Sequence, residues 1–163
     1  MPHRTETGTK MDTGTHTNTG ARAAAAAREW LGTPYRHQAS THGVGADCLG
    51  LLRGVWRALH DTEPETTPPY TPDWSEAEGE ERLWRAARRH LLPKPLNAAA
   101  EGDVLLFRMR EGSVAKHLGV QGHVGACPTF IHAYSGHGVV ESPLSRAWAR
   151  RIVARFQFPK GGT

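Results

Sequence analysis

Residues 43–59 read GVGADCLGLLRGVWRAL, and the reading of this stretch decides the fold. Its first residues are glycines and small side chains. From Asp47 onward, Leu51, Leu52, Val55, Trp56 and Leu59 recur at three- and four-residue spacing, the stripe of a half-buried helix. The spacing predicts a helix over 47–59, entered from a loop over 34–46 rich in Gly, Ser, His and Thr. Cys48 falls in the first turn of that helix, where backbone N–H groups lack intrahelical partners and the helix dipole is positive. Both effects favour thiolate over thiol, and cysteines so placed have pKa values of roughly 3.5 to 7.5. The same N–H groups suit an oxyanion. Cys48 is therefore the candidate nucleophile, against the plainer reading of a buried structural cysteine.

Outward from this stretch the chain divides into helices and then strands. Residues 1–20 repeat Thr and Gly with almost nothing apolar, which predicts a disordered leader. A helix is expected from Arg22, carried by Ala23 to Ala27 with Trp30 and Leu31 as an apolar edge, and stopped by Gly32 and Pro34. Four prolines make 61–74 a surface connection, and 76–92 reads as a third helix, acidic early and basic late, with Leu83 and Leu91 inward beside Trp84 and Ala87. After Pro93 and Pro95 the pattern changes to short β-rich runs at 104–107, 117–121, 129–134 and 138–141. In a last run, 151–158, Ile152, Ala154, Phe156 and Phe158 alternate with polar neighbours. Helices first and strands second define an α+β class, N-terminal helices packed on a C-terminal antiparallel sheet, as one domain over 21–160.

A chain of 163 residues with two cysteines cannot rest on disulfides, and suits a reducing compartment. No apolar run is long enough to cross a bilayer, and the polar start lacks the h-region of a secretory signal. The expectation is a protein made in the cytoplasm. The net charge of +4 comes largely from arginine. Pairs such as Arg88-Arg89 and Arg150-Arg151 read as a solvated basic face, or as attraction to an anionic polymer. Zinc-finger spacing and single-strand-binding aromatics are absent, so no nucleic-acid partner is expected.

A cysteine nucleophile needs a base, and the base needs a third group to fix its tautomer. His117 opens one expected strand and His132 sits on the next, so neighbouring antiparallel strands bring them together on one face. Against this stands a core-edge histidine with a backbone partner. His117, His123, His132 and His137 are close in sequence but lack metal-ligand spacing, so no metal or cofactor is expected. Cys127, before Pro128, reads as a small packing residue. No second cysteine follows Cys48 at redox-motif spacing.

Together, Trp30 to Tyr35, Asp47 to Leu51, Gly102 to Phe107, His117 to Val120, Phe130 to Ala133 and Gly138 to Ser142 resemble the NlpC/P60 family of cell-wall cysteine peptidases, over about residues 24–159. They resemble most closely the subgroup carried in phage tails and gene transfer agents. The resemblance implies a papain-like fold and hydrolysis of peptidoglycan stem peptides at a γ-D-glutamyl bond to a diamino acid. It implies Cys48 as nucleophile, His117 as base and His132 as the residue orienting it. Tyr35 matches a tyrosine lining the cleft, and Asp47 a position that meets the free amine of the stem peptide. Gln38 or His42 is a candidate side-chain oxyanion donor. Implied partners are the stem peptide and tail-tip or baseplate proteins, with action at the cell wall as part of a phage-like particle. Two other readings stay open: an acyltransferase on the same three residues, and a structural tail-tip protein with a vestigial site.

Overall fold

The helical and strand periods resolve, in a computed structural model describing residues 18–64 and 81–160, into four helices and eight strands. The leader as far as residue 17, the proline-rich connection from 65 and the expected start of the third helix lie outside the described residues. Helix α1 covers Asn18–Arg28. It starts earlier than the alanine run predicts, so residues 18–20 belong to the helix and not to the leader. Gly20 packs directly on the Glu101 carbonyl, a tertiary contact that local composition does not reveal. Beyond the helix Trp30 is buried, whereas Leu31 is 44 % exposed and forms no apolar edge.

The loop expected over 34–46 contains a small hairpin, β1 (Ser40–Thr41) and β2 (Gly45–Ala46), too short to show a period. Helix α2 is Cys48–His60. It buries Leu51, Val55 and Leu59 of the stripe read from the sequence, while Leu52 and Trp56 are half-buried and pack against the core. Helix α3 is Arg82–His90, with Leu83 and Ala87 buried and three basic residues in its last turn, as the dipole favours. The strands that follow are β3 (Leu92–Lys94), β4 (Val104–Phe107), β5 (His117–Gln121), β6 (Thr129–Tyr134), β7 (Gly138–Pro143) and β8 (Ile152–Gln157). A short helix, α4 (Arg146–Ala149), precedes β8 and was not foreseen. Neither was β3, because Pro93 argues against a strand. β3 lies at the sheet edge, where a missing N–H is tolerated.

The six longer-range strands form one antiparallel sheet in the order β3-β8-β4-β5-β6-β7. Helix α2 packs across β5 and β6, and α1 packs on α2. The Trp30 ring, just beyond α1, lies directly on α2 because position 54 is glycine; a Cβ there would enter the ring. The main core lies between the helices and one sheet face, and includes Val104, Leu106, Leu118, Val120, Ile131 and Ala133. The opposite face carries Leu105, Phe107 and Phe130 beneath Met109, Leu144, Trp148 and Ile152. At the far end of that face lies a polar knot. Arg155, expected as an outward neighbour of Phe156, is only 4 % exposed, and its Nη1 donates to Asp103 Oδ2 (2.9 Å) and Gln121 Oε1 (3.1 Å). Lys94 Nζ and the Ala100 amide donate to the same carboxylate. No described helix is long and apolar enough to cross a membrane.

Candidate active site

Asp47 sets the start of α2. Its Oδ1 accepts from the Gly50 amide (2.7 Å), the N-cap bond that satisfies one otherwise orphaned donor. Its Oδ2 accepts from the Gln38 amide (2.8 Å), and the side chain is 4 % exposed. Asp47 thus ties the preceding loop to the helix. Two accepted amides leave the carboxylate further lone pairs, and its contact with a substrate amine stays an expectation carried by the resemblance. Gln38 takes a left-handed backbone conformation (φ 62°) in the same turn.

Cys48 is the first helical residue and only partly buried. Its sulfur occupies a defect in the sheet. The β5–β6 ladder registers Val120 opposite Ile131 and Gln121 opposite Phe130, and the strands part toward His117. In that gap the sulfur takes a hydrogen bond from the Leu118 amide and lies 3.8 Å from the Lys116 carbonyl. The amides of Leu49 and Cys48 itself also point at it. The helix-terminal donors expected from the sequence are therefore present.

Their effect on the thiol is the reverse of that expected. Burial pushes the Cys48 thiol up to about 12, with the nearby Asp47 carboxylate adding to the shift and the three amides offsetting part of it. A low-pKa thiolate was the expectation; desolvation outweighs dipole and amides, because leaving water penalises the charged form most.

The two histidines meet. His117 Nε2 lies 2.9 Å from His132 Nδ1, on the sheet face away from α2. Position 119, two residues along from His117 on that face, is glycine. A Cβ there would come within 2.8 Å of Phe130 Cδ2 and disturb the ring that stacks on His132 at 4.1 Å. Burial lowers His117 to about 3, with His132 adding to the shift, and lowers His132 to about 4, with His137 adding. Both rings are thus neutral at pH 7. Unfolded, each binds a proton near pH 6.5, so the stability linked to this pair is full above that pH. It falls away as pH drops through about 4 and then 3.

Trp148 of α4 covers both rings, with centroids 5.7 Å from His117 and 5.2 Å from His132. The far nitrogen of His132, Nε2, lies 3.0 Å from Ser142 Oγ. Sequence reasoning missed Trp148 and Ser142 as parts of the site. Ser142 was within reach, since it faces Phe130 in the β6–β7 register and so shares the face of His132. A four-residue helix carries no period that would have singled out Trp148.

Tyr35 is half-buried and bridges to Ala46 through its backbone. Burial raises its phenol, and charge on Cys48 or Asp47 raises it further, which sets it beside the sulfur. His42 is committed elsewhere, with Nε2 at 2.6 Å from the Glu29 carbonyl and its ring against Trp30. It is therefore not an oxyanion donor. The Gln38 side chain is exposed and bonded to His37. Cys127 is exposed and does not pack in the core as expected. His123 and His137 diverge from the pair: one lies near Glu141 and the other stacks on Tyr134. Among the described residues no group of three or more His, Cys, Asp or Glu is arranged to hold a metal ion.

A neutral thiol against the main chain that flanks a neutral His117 makes one direct prediction. At pH 7, iodoacetamide should modify Cys48 at least about a hundredfold more slowly than exposed Cys127, read by peptide mapping. The Cys48 rate should keep climbing with pH beyond 9. Preferential labelling of Cys48 at pH 6 would instead mean a resting thiolate–imidazolium pair.

No family model matches the chain, and no curated protein matches it. Solved structures do. The NlpC/p60 domain of the peptidoglycan hydrolase SagA is similar at 22 % identity and TM-score 0.56, over 85 % of this chain and 98 % of that one. An NlpC/P60 family protein from Bacillus cereus ATCC 10987 is similar at 18 % and 0.58, over 88 % of this chain and 41 % of its own length. Ly7917 is similar at 13 % and 0.55, over 86 % and 63 %. The chain spans less than two thirds of the last two. The fold is the NlpC/P60 fold, of α+β class.

Proposed function

We propose that this chain is a cysteine peptidase that hydrolyses peptidoglycan stem peptides at a γ-D-glutamyl bond to a diamino acid. The observation that carries the reading is the sulfur at a helix N-terminus, ringed by the Cys48, Leu49 and Leu118 amides and lying against the main chain on either side of His117, whose ring pairs with His132. In this reading His117 has Nε2 engaged with His132 and Nδ1 left for the thiol. As Cys48 Sγ bonds to the substrate carbonyl carbon, its proton passes to His117 Nδ1 and the carbonyl oxygen becomes an oxyanion, held by the Cys48 amide. The imidazolium then protonates the leaving amine as the C–N bond breaks. Water, giving its proton to His117, cleaves the thioester and restores the thiol. Proton transfer during attack suits a thiol pushed up to about 12 better than a standing ion pair does. Tyr35 lines the cleft beside the sulfur.

The reading extends to a component of a phage tail or gene transfer agent, acting at the cell wall beside tail-tip or baseplate proteins. Its support is the likeness of the motif blocks to that subgroup. The test is incubation with purified sacculi and defined stem peptides, with products read by mass. The expected products are a free carboxylate on the glutamyl fragment and a free amine on the diamino acid. An adduct in place of the carboxylate would make it an acyltransferase, and no product from any stem peptide would overturn the reading.

A further inference from the structure

We infer that Ser142 is a positioning residue, the end of a line of hydrogen bonds that sets which nitrogen of His117 carries the proton and so leaves a lone pair on Nδ1 for the thiol. The inference rests on the peptidase reading for the role of His117, but its geometry stands alone. Three consecutive strands contribute one residue each on one sheet face: His117 on β5, His132 on β6 and Ser142 on β7. His117 Nε2 meets His132 Nδ1 at 2.9 Å, and His132 Nε2 meets Ser142 Oγ at 3.0 Å. His132 is 1 % exposed, so water does not substitute for either partner.

The proton count along this line has two solutions. If Ser142 Oγ accepts, His132 carries its proton on Nε2 and presents a bare Nδ1. His117 then carries its proton on Nε2, and His117 Nδ1 is left with a lone pair for the thiol proton. If Ser142 donates, every bond reverses, and His117 Nδ1 already bears a proton and is useless as a base. A buried carboxylate at this place would enforce the first solution but add a charge and raise both imidazoles. A hydroxyl can fill either role and leaves both rings neutral; in the inferred line Ser142 accepts. The other groups facing His132 are the rings of Phe130, Tyr134 and Trp148 and, at longer range, His137. Among these His137 is the titratable imidazole. It opposes protonation of His132 and does not select a tautomer.

Nitrogen-15 NMR of histidine-labelled protein reads the tautomers directly, without substrate. The wild type should show His117 and His132 both protonated on Nε2 at pH 7. Ser142→Ala should give mixed tautomers and lower peptide release by roughly ten- to a hundredfold, mainly in kcat. Ser142→Thr, which keeps the hydroxyl, should restore both to within about threefold. Ser142→Asp should move the acid limb of the pH–rate profile upward. Unchanged tautomers and rates in Ser142→Ala would overturn the inference, as would equal losses in the Ala and Thr variants with tautomers intact. Should the wild type release no peptide while the tautomers still respond to Ser142, the peptidase reading fails and the positioning role stands.

Discussion

Cys48→Ala should lower peptide release from sacculi by about a thousandfold or more, while unfolding shifts by only about 1 kcal/mol. The chemical loss is large because covalent catalysis has no substitute: without sulfur no acyl-enzyme forms, and His117 has no proton to take. The structural loss is small because one atom is removed from a residue that, taken whole, is only partly buried and packs at the edge of the core. Cys48→Ser should be nearly as inactive. Its hydroxyl is a far weaker acid than a thiol, and the His117–His132 pair carries no carboxylate to strengthen the base. Release assayed on sacculi, together with chemical denaturation, checks both halves. Activity in Cys48→Ala within tenfold of wild type would remove Cys48 from the mechanism.

The second large effect concerns stability. Asp103→Ala should destabilise the fold by about 3–5 kcal/mol, the cost typical of breaking a buried ion pair from one side. The Asp103 carboxylate is 3 % exposed and receives Lys94 Nζ, Arg155 Nη1 and the Ala100 amide. Removing it leaves two cations near one another, Arg155 held by Gln121 Oε1 and the Leu96 carbonyl. In a domain of this size the melting temperature should drop by roughly 10 °C. Lys94→Ala should cost less, since Lys94 is 16 % exposed and Arg155 keeps the carboxylate occupied. A loss below about 1 kcal/mol in Asp103→Ala would show that the knot contributes little.

The sequence made the helix stripe and most of the strands legible, because Leu51, Val55 and Leu59 at helical spacing and Val104 to Phe107 as an apolar run are local signals. The order β3-β8-β4-β5-β6-β7 was not legible, since it depends on contacts far apart in the chain. The sequence also predicts His117 and His132 on one face, and the register that pairs Val120 with Ile131 and Gln121 with Phe130 puts them there. Desolvation was not legible. The first-turn position of Cys48 argued for a thiolate, but the thiol's pKa depends on how much protein surrounds it, and that follows from α2 packing on β5. The structural role of Asp47 was not legible for a related reason: a carboxylate before a helix is an N-cap candidate, but its second bond, to the Gln38 amide, depends on how the preceding loop folds back. Arg155 was hidden by alternation, which separates the two faces of a strand but does not say that a second layer covers the polar one.

The parted end of β5 and β6 has a consequence for motion. The Leu118 amide, which a continuous ladder would give to a carbonyl, is given to sulfur, so the cysteine closes the seam between two strands. In the proposed reaction the acylated sulfur would share its surroundings with a substrate, and the seam would be held less firmly. Each catalytic cycle would then loosen and refasten one stitch of the sheet, with solvent exchange at a single amide marking the beat.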